Sequence, residues 1–178
     1  MSIKATLNFG KHGGRMMSLS KTLAEELQHE AVSTRKMLER VPQDAFDWKP
    51  HEKSMKLGRL AGHVAELPSM VVPILTTDEL DFGGYKPFMP ESVSELIERF
   101  DKNVADAVGL LQNNSDEHLL KTWRMLSGGK VFFEMPRGAF IRSIMLNHLI
   151  HHRGQLSVYL RLRDVPLPSV YGPTADES

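Results

Sequence analysis

The chain contains no cysteine. That absence excludes disulfides, thiolate metal ligands and a cysteine nucleophile together. Net charge is also missing, because 22 Lys plus Arg balance 22 Asp plus Glu. A balanced chain gives no electrostatic reason to expect nucleic acid or an anionic membrane as partner. No apolar run approaches the roughly 18 residues that a membrane-spanning helix needs. No Gly-rich phosphate loop sits at a strand-to-helix turn, and no serine sits in a G-x-S-x-G elbow; Gly83-Gly84 and Gly128-Gly129 read as turns. The first 15 residues lack the apolar core of a secretory signal, which points to the cytoplasm. What the chain does have is 178 residues with 41% hydrophobic and 25% charged content, an ordinary globular composition with enough length to bury one core. It also has eight histidines.

Along the chain, residues 1–17 form a leader containing Gly10, Gly13 and Gly14, and translation is expected to begin at Met16 or Met17. Residues 18–166 are expected to form one helical-bundle domain, followed by a Pro- and Gly-containing tail at 167–178. The first helix is expected from about Ser20 to Arg40, with Leu23, Leu27, Ala31 and Leu38 on one face and Thr22 with Glu25 at capping-box spacing. Pro42 stops it, and Trp48 in the following loop is expected to pack on the bundle. A second helix follows Ser54 and runs to about Leu75, with Leu60, His63, Leu67, Met70, Val71 and Ile74 on its apolar face. Pro68 within it predicts a kink close to His63. A third helix begins at Ser92, with Glu95 at capping-box spacing, and ends at Asn113 to Asp116. Two strand-like runs, Trp123–Leu126 and Val131–Glu134, predict a hairpin. The last helix spans about Gly138 to Arg163. The 76–91 connection reads either as a lid or binding loop or as a plain crossover. The expected architecture is all-α: a four-helix bundle with a small β-hairpin before the last helix.

His148 and His152 are four residues apart, so they lie roughly 40° apart around the helix and about 6 Å along it. Both imidazoles can then reach one metal ion. Ile141, Ile144, Met145, Leu156 and Tyr159 share that face, which aims the pair into the bundle; Arg142, Arg153 and Arg161 are expected in solvent. Buried imidazoles need partners, and a divalent metal supplies both at once. The competing reading is chance spacing or core packing. His63 lies on the apolar face of its own helix, so His63, His148 and His152 could form a three-nitrogen site with open positions. His151, about 60° from His148, reads as a flanking proton carrier or as an interface residue. Glu66, three residues after His63, reads as a ligand orienter, a general base or a carboxylate ligand, or else as a rim salt bridge to Arg59. Glu26 and His29 form one Glu-x-x-His, but His29 is expected in solvent and no second such motif is present, which leaves no di-iron pattern.

Taken together, His63, Asn147-His148-x-x-His151-His152-Arg153-Gly154-Gln155-Leu156, Val41-Pro42, Asp47-Trp48-Lys49-Pro50, Leu60-Ala61-Gly62-His63 and the tail Tyr171-Gly172-Pro173-Thr174-Ala175-Asp176-Glu177 resemble the DinB-like (DinB/YfiT) superfamily, which is distinct from the DNA polymerase sharing that name. The resemblance runs from about Leu19 to the end. It implies an up-down-down-up four-helix bundle and a divalent ion, zinc or nickel foremost, held by His63, His148 and His152. It also implies a homodimer and, by analogy with thiol S-transferases in the group, a small-molecule substrate with a low-molecular-weight thiol as a candidate cosubstrate. The leading expectation is a metal-dependent hydrolase or thiol S-transferase in which Glu66 or His151 moves the proton. Two rivals stand beside it: a non-catalytic metal-binding stress-response module, and a bundle whose histidines only fill the core.

Overall fold

A computed structural model of the chain describes residues 18–178. The expected leader and the start at Met16 or Met17 lie outside the described residues.

Helix α1 (Leu19–Glu39) buries Leu23, Ala24, Leu27, Met37 and Leu38 on one stripe. Its N-terminus does not use the Thr22–Glu25 pair. Thr22 Oγ1 instead donates to the Ser18 carbonyl at 3.1 Å. The exposed N–H groups go to a distant carboxylate: Asp116 accepts from Ser18 Oγ at 2.6 Å and from the backbone N–H of Leu19 and Ser20, each at 3.0 Å. An anion at a helix N-terminus is favoured by the local dipole, and these bonds, the Ser18 hydroxyl foremost, hold the Asp116 carboxyl below its ordinary range.

The expected second helix is three pieces: α2 (Leu57–Glu66), a 3₁₀ turn (Leu67–Met70) and α3 (Val71–Thr76). Pro68 cannot donate to the helical ladder, so the break falls at the proline itself, one turn beyond His63. Asn103, buried on α4 (Val93–Gln112), donates its amide to the Ala65 carbonyl at 2.9 Å and so satisfies an acceptor at the break. Ser92 caps α4 as expected, accepting from Glu95 N–H at 3.1 Å. Glu95 reaches back to Glu91 N–H at 2.7 Å, one residue before the usual partner. A short helix, α5 (Asp116–Leu120), follows and positions the Asp116 cap.

The hairpin is present and longer than expected: β2 (Thr122–Ser127) pairs antiparallel with β3 (Lys130–Pro136). Gly128 and Gly129 turn it with φ of 58° and 76°, a region that glycine enters without a Cβ clash. The 76–91 connection contributes β1 (Glu79–Asp81), which pairs parallel with β2 and completes a three-stranded sheet ordered β1-β2-β3. The Asp81 carboxylate ties this connection to the hairpin turn by accepting from Gly83, Gly128 and Gly129 N–H at 2.7, 3.0 and 2.7 Å.

The last helical stretch consists of α6 (Arg137–Phe140), a π-helical segment (Ile141–Leu146) and α7 (Asn147–Arg161). Buried Arg137 donates to the carbonyls of Ile74 and Thr77 and bonds Asp78 at 2.9 Å, closing the end of α3. Around the bundle, α1 packs on α4 and α7, and α2 packs on the same two helices, so the ring order is α1–α4–α2–α7. Its core includes Leu27, Leu38, Leu60, Val64, Ile74, Phe100, Leu111 and Leu156. Trp48 packs against this core and stacks edge-on to Tyr159 at 5.9 Å. Among the described residues, no helix is long and apolar enough to cross a membrane.

Arg153 departs from the expectation of solvent. It is buried, with its guanidinium on Glu30 Oε2 (2.7 Å), Ser33 Oγ (2.7 Å) and Tyr171 OH (2.7 Å), whereas Arg142 and Arg161 are exposed as expected. The tail covers this side of the bundle and is held by Glu177 on Arg40 and Asp176 on Arg161.

Candidate metal centre

Helix α2 carries His63 on the flank that meets α7, and α7 carries His148 and His152 one turn apart. The three imidazoles converge. His148 Nε2 lies 3.4 Å from His63 Nε2 and 2.7 Å from His152 Nε2, and one ligating atom from each falls within 4.8 Å of the others. Zinc–nitrogen bonds of about 2.05 Å at tetrahedral angles place two nitrogens about 3.3 Å apart, close to the first of these separations. The donor set is nitrogen only, and the lack of cysteine excludes thiolate ligands.

Three further features fit a cation at this point. His152 Nδ1 lies 2.7 Å from the Gln155 amide oxygen. That partner takes an Nδ1 proton and leaves the Nε2 lone pair facing the cluster, as an outer partner of a metal-ligating histidine does. Burial, with His152 and His148 adding to it, pushes the His63 imidazole down to about 3. Burial first, then the neighbouring imidazoles, also lowers His148, while His152 is lowered by burial against the opposing pull of Gln155. Metal binding requires these neutral imidazoles. Finally, His63 Nδ1 is buried without a partner among the described residues, a cost that coordination at Nε2 would offset.

The remaining sequence candidates fall around this cluster. His151 is exposed, with its ring 4.9 Å edge-on from His152. Glu66 is outside the three-His group and both its oxygens are occupied: Oε2 accepts from Tyr85 OH at 2.6 Å and lies 3.5 Å from Arg59, while Oε1 accepts from Phe88 N–H at 2.8 Å. The Arg59 contact is there, but the carboxylate chiefly anchors the 82–88 segment beside His63. That bond and burial, burial foremost, push the Tyr85 hydroxyl up to about 12, which keeps it protonated as donor. His29 is exposed on the outer side of α1. The site also has parts that the sequence reading missed. Gln155 stands three residues after His152, a helical neighbour spacing that was available as a signal. Tyr85 carried no periodic signal.

Beside His63 and His148 lies a cavity of about 270 Å³, bounded by α2, the π segment, the hairpin and the 82–85 segment. The arrangement thus combines a cation-competent cluster with an adjoining space for a second molecule. The π-helical segment directly precedes Asn147 and places Ile144, Met145 and His148 together on the cavity wall; such segments recur at functional sites.

The chain is similar to two uncharacterised Bacillus subtilis proteins: YrdA, 23% identical over 154 residues covering 84% of this chain and 86% of that one, and YjoA, 24% identical over 149 residues covering 82% and 91%. Crystal structures with the same fold include a DinB-like protein from Bacillus cereus (TM-score 0.66, 26% identity, 84% of this chain and 95% of that one) and YjoA itself (TM-score 0.64, 18% identity, 84% and 96%). The DinB family model matches residues 16–178, nearly the whole sequence, and the chain therefore belongs to the DinB family.

Proposed function

We propose that this protein is a metal-dependent enzyme of the cytoplasm, a hydrolase or a thiol S-transferase, with His63, His148 and His152 as the metal ligands. The observation that supports this reading is the three-imidazole cluster beside a cavity that His63 and His148 line. A purely structural ion has no use for an adjoining space, whereas a ligand set of three histidines with room beside it is the catalytic form of such sites. A divalent ion there, zinc or nickel, would supply Lewis acidity, making water or a small thiol a nucleophile near neutral pH. The chain's own residues do the rest. Burial keeps the three imidazoles neutral, and Gln155 fixes the His152 tautomer. His151, exposed with its ring 4.9 Å from that of His152, is the proton carrier to solvent in this reading. Glu66 lines the cavity and is the alternative proton carrier in this reading, once it releases the hydrogen bond that it accepts from Tyr85. Any sulfur chemistry must borrow its thiol from a small molecule, since the chain has no cysteine. A homodimer is the expected assembly, to be checked by light scattering.

The test is a turnover assay on metal-loaded protein with a neutral ester, and separately with small thiols and an electrophilic chromophore. The expected result is turnover lost in His63→Ala, His148→Ala and His152→Ala. Metal-loaded protein that turns over neither class and holds an ion with no exchangeable position would favour the non-catalytic metal-binding module instead.

A further inference from the structure

The cavity beside the histidines has an unusual wall. Met70, Phe82, Met125, Phe133, Phe140 and Met145 are prominent in it, and among the described residues neither Lys nor Arg lines it. Its one carboxylate, Glu66, is already taken by Tyr85, Phe88 N–H and Arg59. A ligand carboxylate or phosphate among these rings and thioethers, away from the His63–His148 end where a metal ion would sit, would lose its hydration without gaining a cation, which is costly. Aromatic rings and thioethers, by contrast, pack well against a flat apolar group. An apolar cavity of about 150 Å³ holds benzene, so 270 Å³ suits about ten to fifteen non-hydrogen atoms.

We propose that this chamber binds an uncharged aryl or alkyl group of about that size, presented by the substrate to His63 and His148. The inference deepens the metal-dependent reading and rests on it for the word substrate; the binding preference itself depends only on the chamber. It divides the site in two. The apolar partner of the reaction lies among the methionines and phenylalanines, and the charged parts of any thiol cosubstrate must lie outside, toward exposed His151. The exposed ring of Phe132, 65% accessible, stands at the open rim, where an entering group would meet it first.

The test uses the full chain with its methionine methyls isotope-labelled, titrated with neutral 2-naphthol and with anionic 6-hydroxy-2-naphthoate, while metal content is measured by elemental analysis. Of the ten methionines, the methyls of Met70, Met125 and Met145 should shift with 2-naphthol. In protein freed of metal by a chelator, where no ion at the histidines can draw the anion, the neutral probe should bind about tenfold or more tighter than the carboxylate. Phe133→Ser and Met70→Glu, both at incompletely buried positions, should each weaken 2-naphthol by about fivefold or more. Equal binding of the two probes, or shifts at other methionines with these three unmoved, would overturn the assignment. The two readings fail separately. An ion present with no naphthol response at the three methyls ends the chamber assignment alone. Naphthol binding intact in protein that takes up no ion leaves the chamber standing and ends the metal reading.

Discussion

At the scale of single residues, the centre depends on imidazoles kept neutral by burial. The His63 imidazole is pushed from 6.5 to about 3 in the folded chain. Between those values the unfolded chain takes up a proton that the native chain resists, so stability present above 6.5 is lost progressively as pH falls toward 3. His148 and His152 are shifted the same way. Thermal melts of metal-free protein should therefore drop steadily through this window, and His63→Phe should flatten the drop. Gln155 gives a second expectation. Gln155→Leu removes the acceptor at His152 Nδ1, and metal affinity measured by chelator competition should fall about 10–100-fold with the fold intact. The three ligand candidates were legible from sequence because a four-residue spacing on an apolar helix face constrains direction as well as distance. Arg153 was not. The helix wheel turns it away from the bundle core, but the tail folds over that side and encloses it with Glu30 and Tyr171, which no local pattern records.

At the scale of elements, the site is set by breaks in helices more than by helices. Periodicity located α1, α4 and the last helical stretch from α6 to α7 to within a few residues, because each has a long apolar stripe. It could not distinguish an α-helix from the 3₁₀ turn at Leu67–Met70 or the π segment at Ile141–Leu146, since one altered turn shifts the stripe too little to read. β1 was invisible for another reason: three residues are too few to show alternation, and their partner strand lies more than 40 residues away. The segment that carries β1 then meets α2 at Gly62, where a Cβ would sit 2.7 Å from the Phe88 carbonyl oxygen and 3.0 Å from Pro90. Backbone cannot yield as a flexible side chain can. Gly62→Ala should cost about 1–3 kcal/mol in denaturant unfolding and should also weaken metal binding, because the displaced residue adjoins His63.

At the scale of the molecule, two distant parts of the chain close the bundle. Asp116 caps α1 from the start of α5, and the C-terminal tail locks α1 to α7 through Glu30, Arg153 and Tyr171. The Arg153–Glu30 pair is buried on both sides, with 3% and 7% of the side chains exposed. Arg153→Met should thus leave Glu30 buried without its cation and cost about 3–5 kcal/mol, read from chemical unfolding. An ion held only by the folded chain should add stability that grows with the logarithm of its concentration over its dissociation constant. The central claim is tested most directly by elemental analysis of the purified full-length chain beside His63→Ala, His148→Ala and His152→Ala. The expected result is roughly one zinc or nickel per wild-type chain and a loss of that ion in each folded variant. Metal content unchanged across all three variants, or a wild-type chain that takes up no ion, would contradict it.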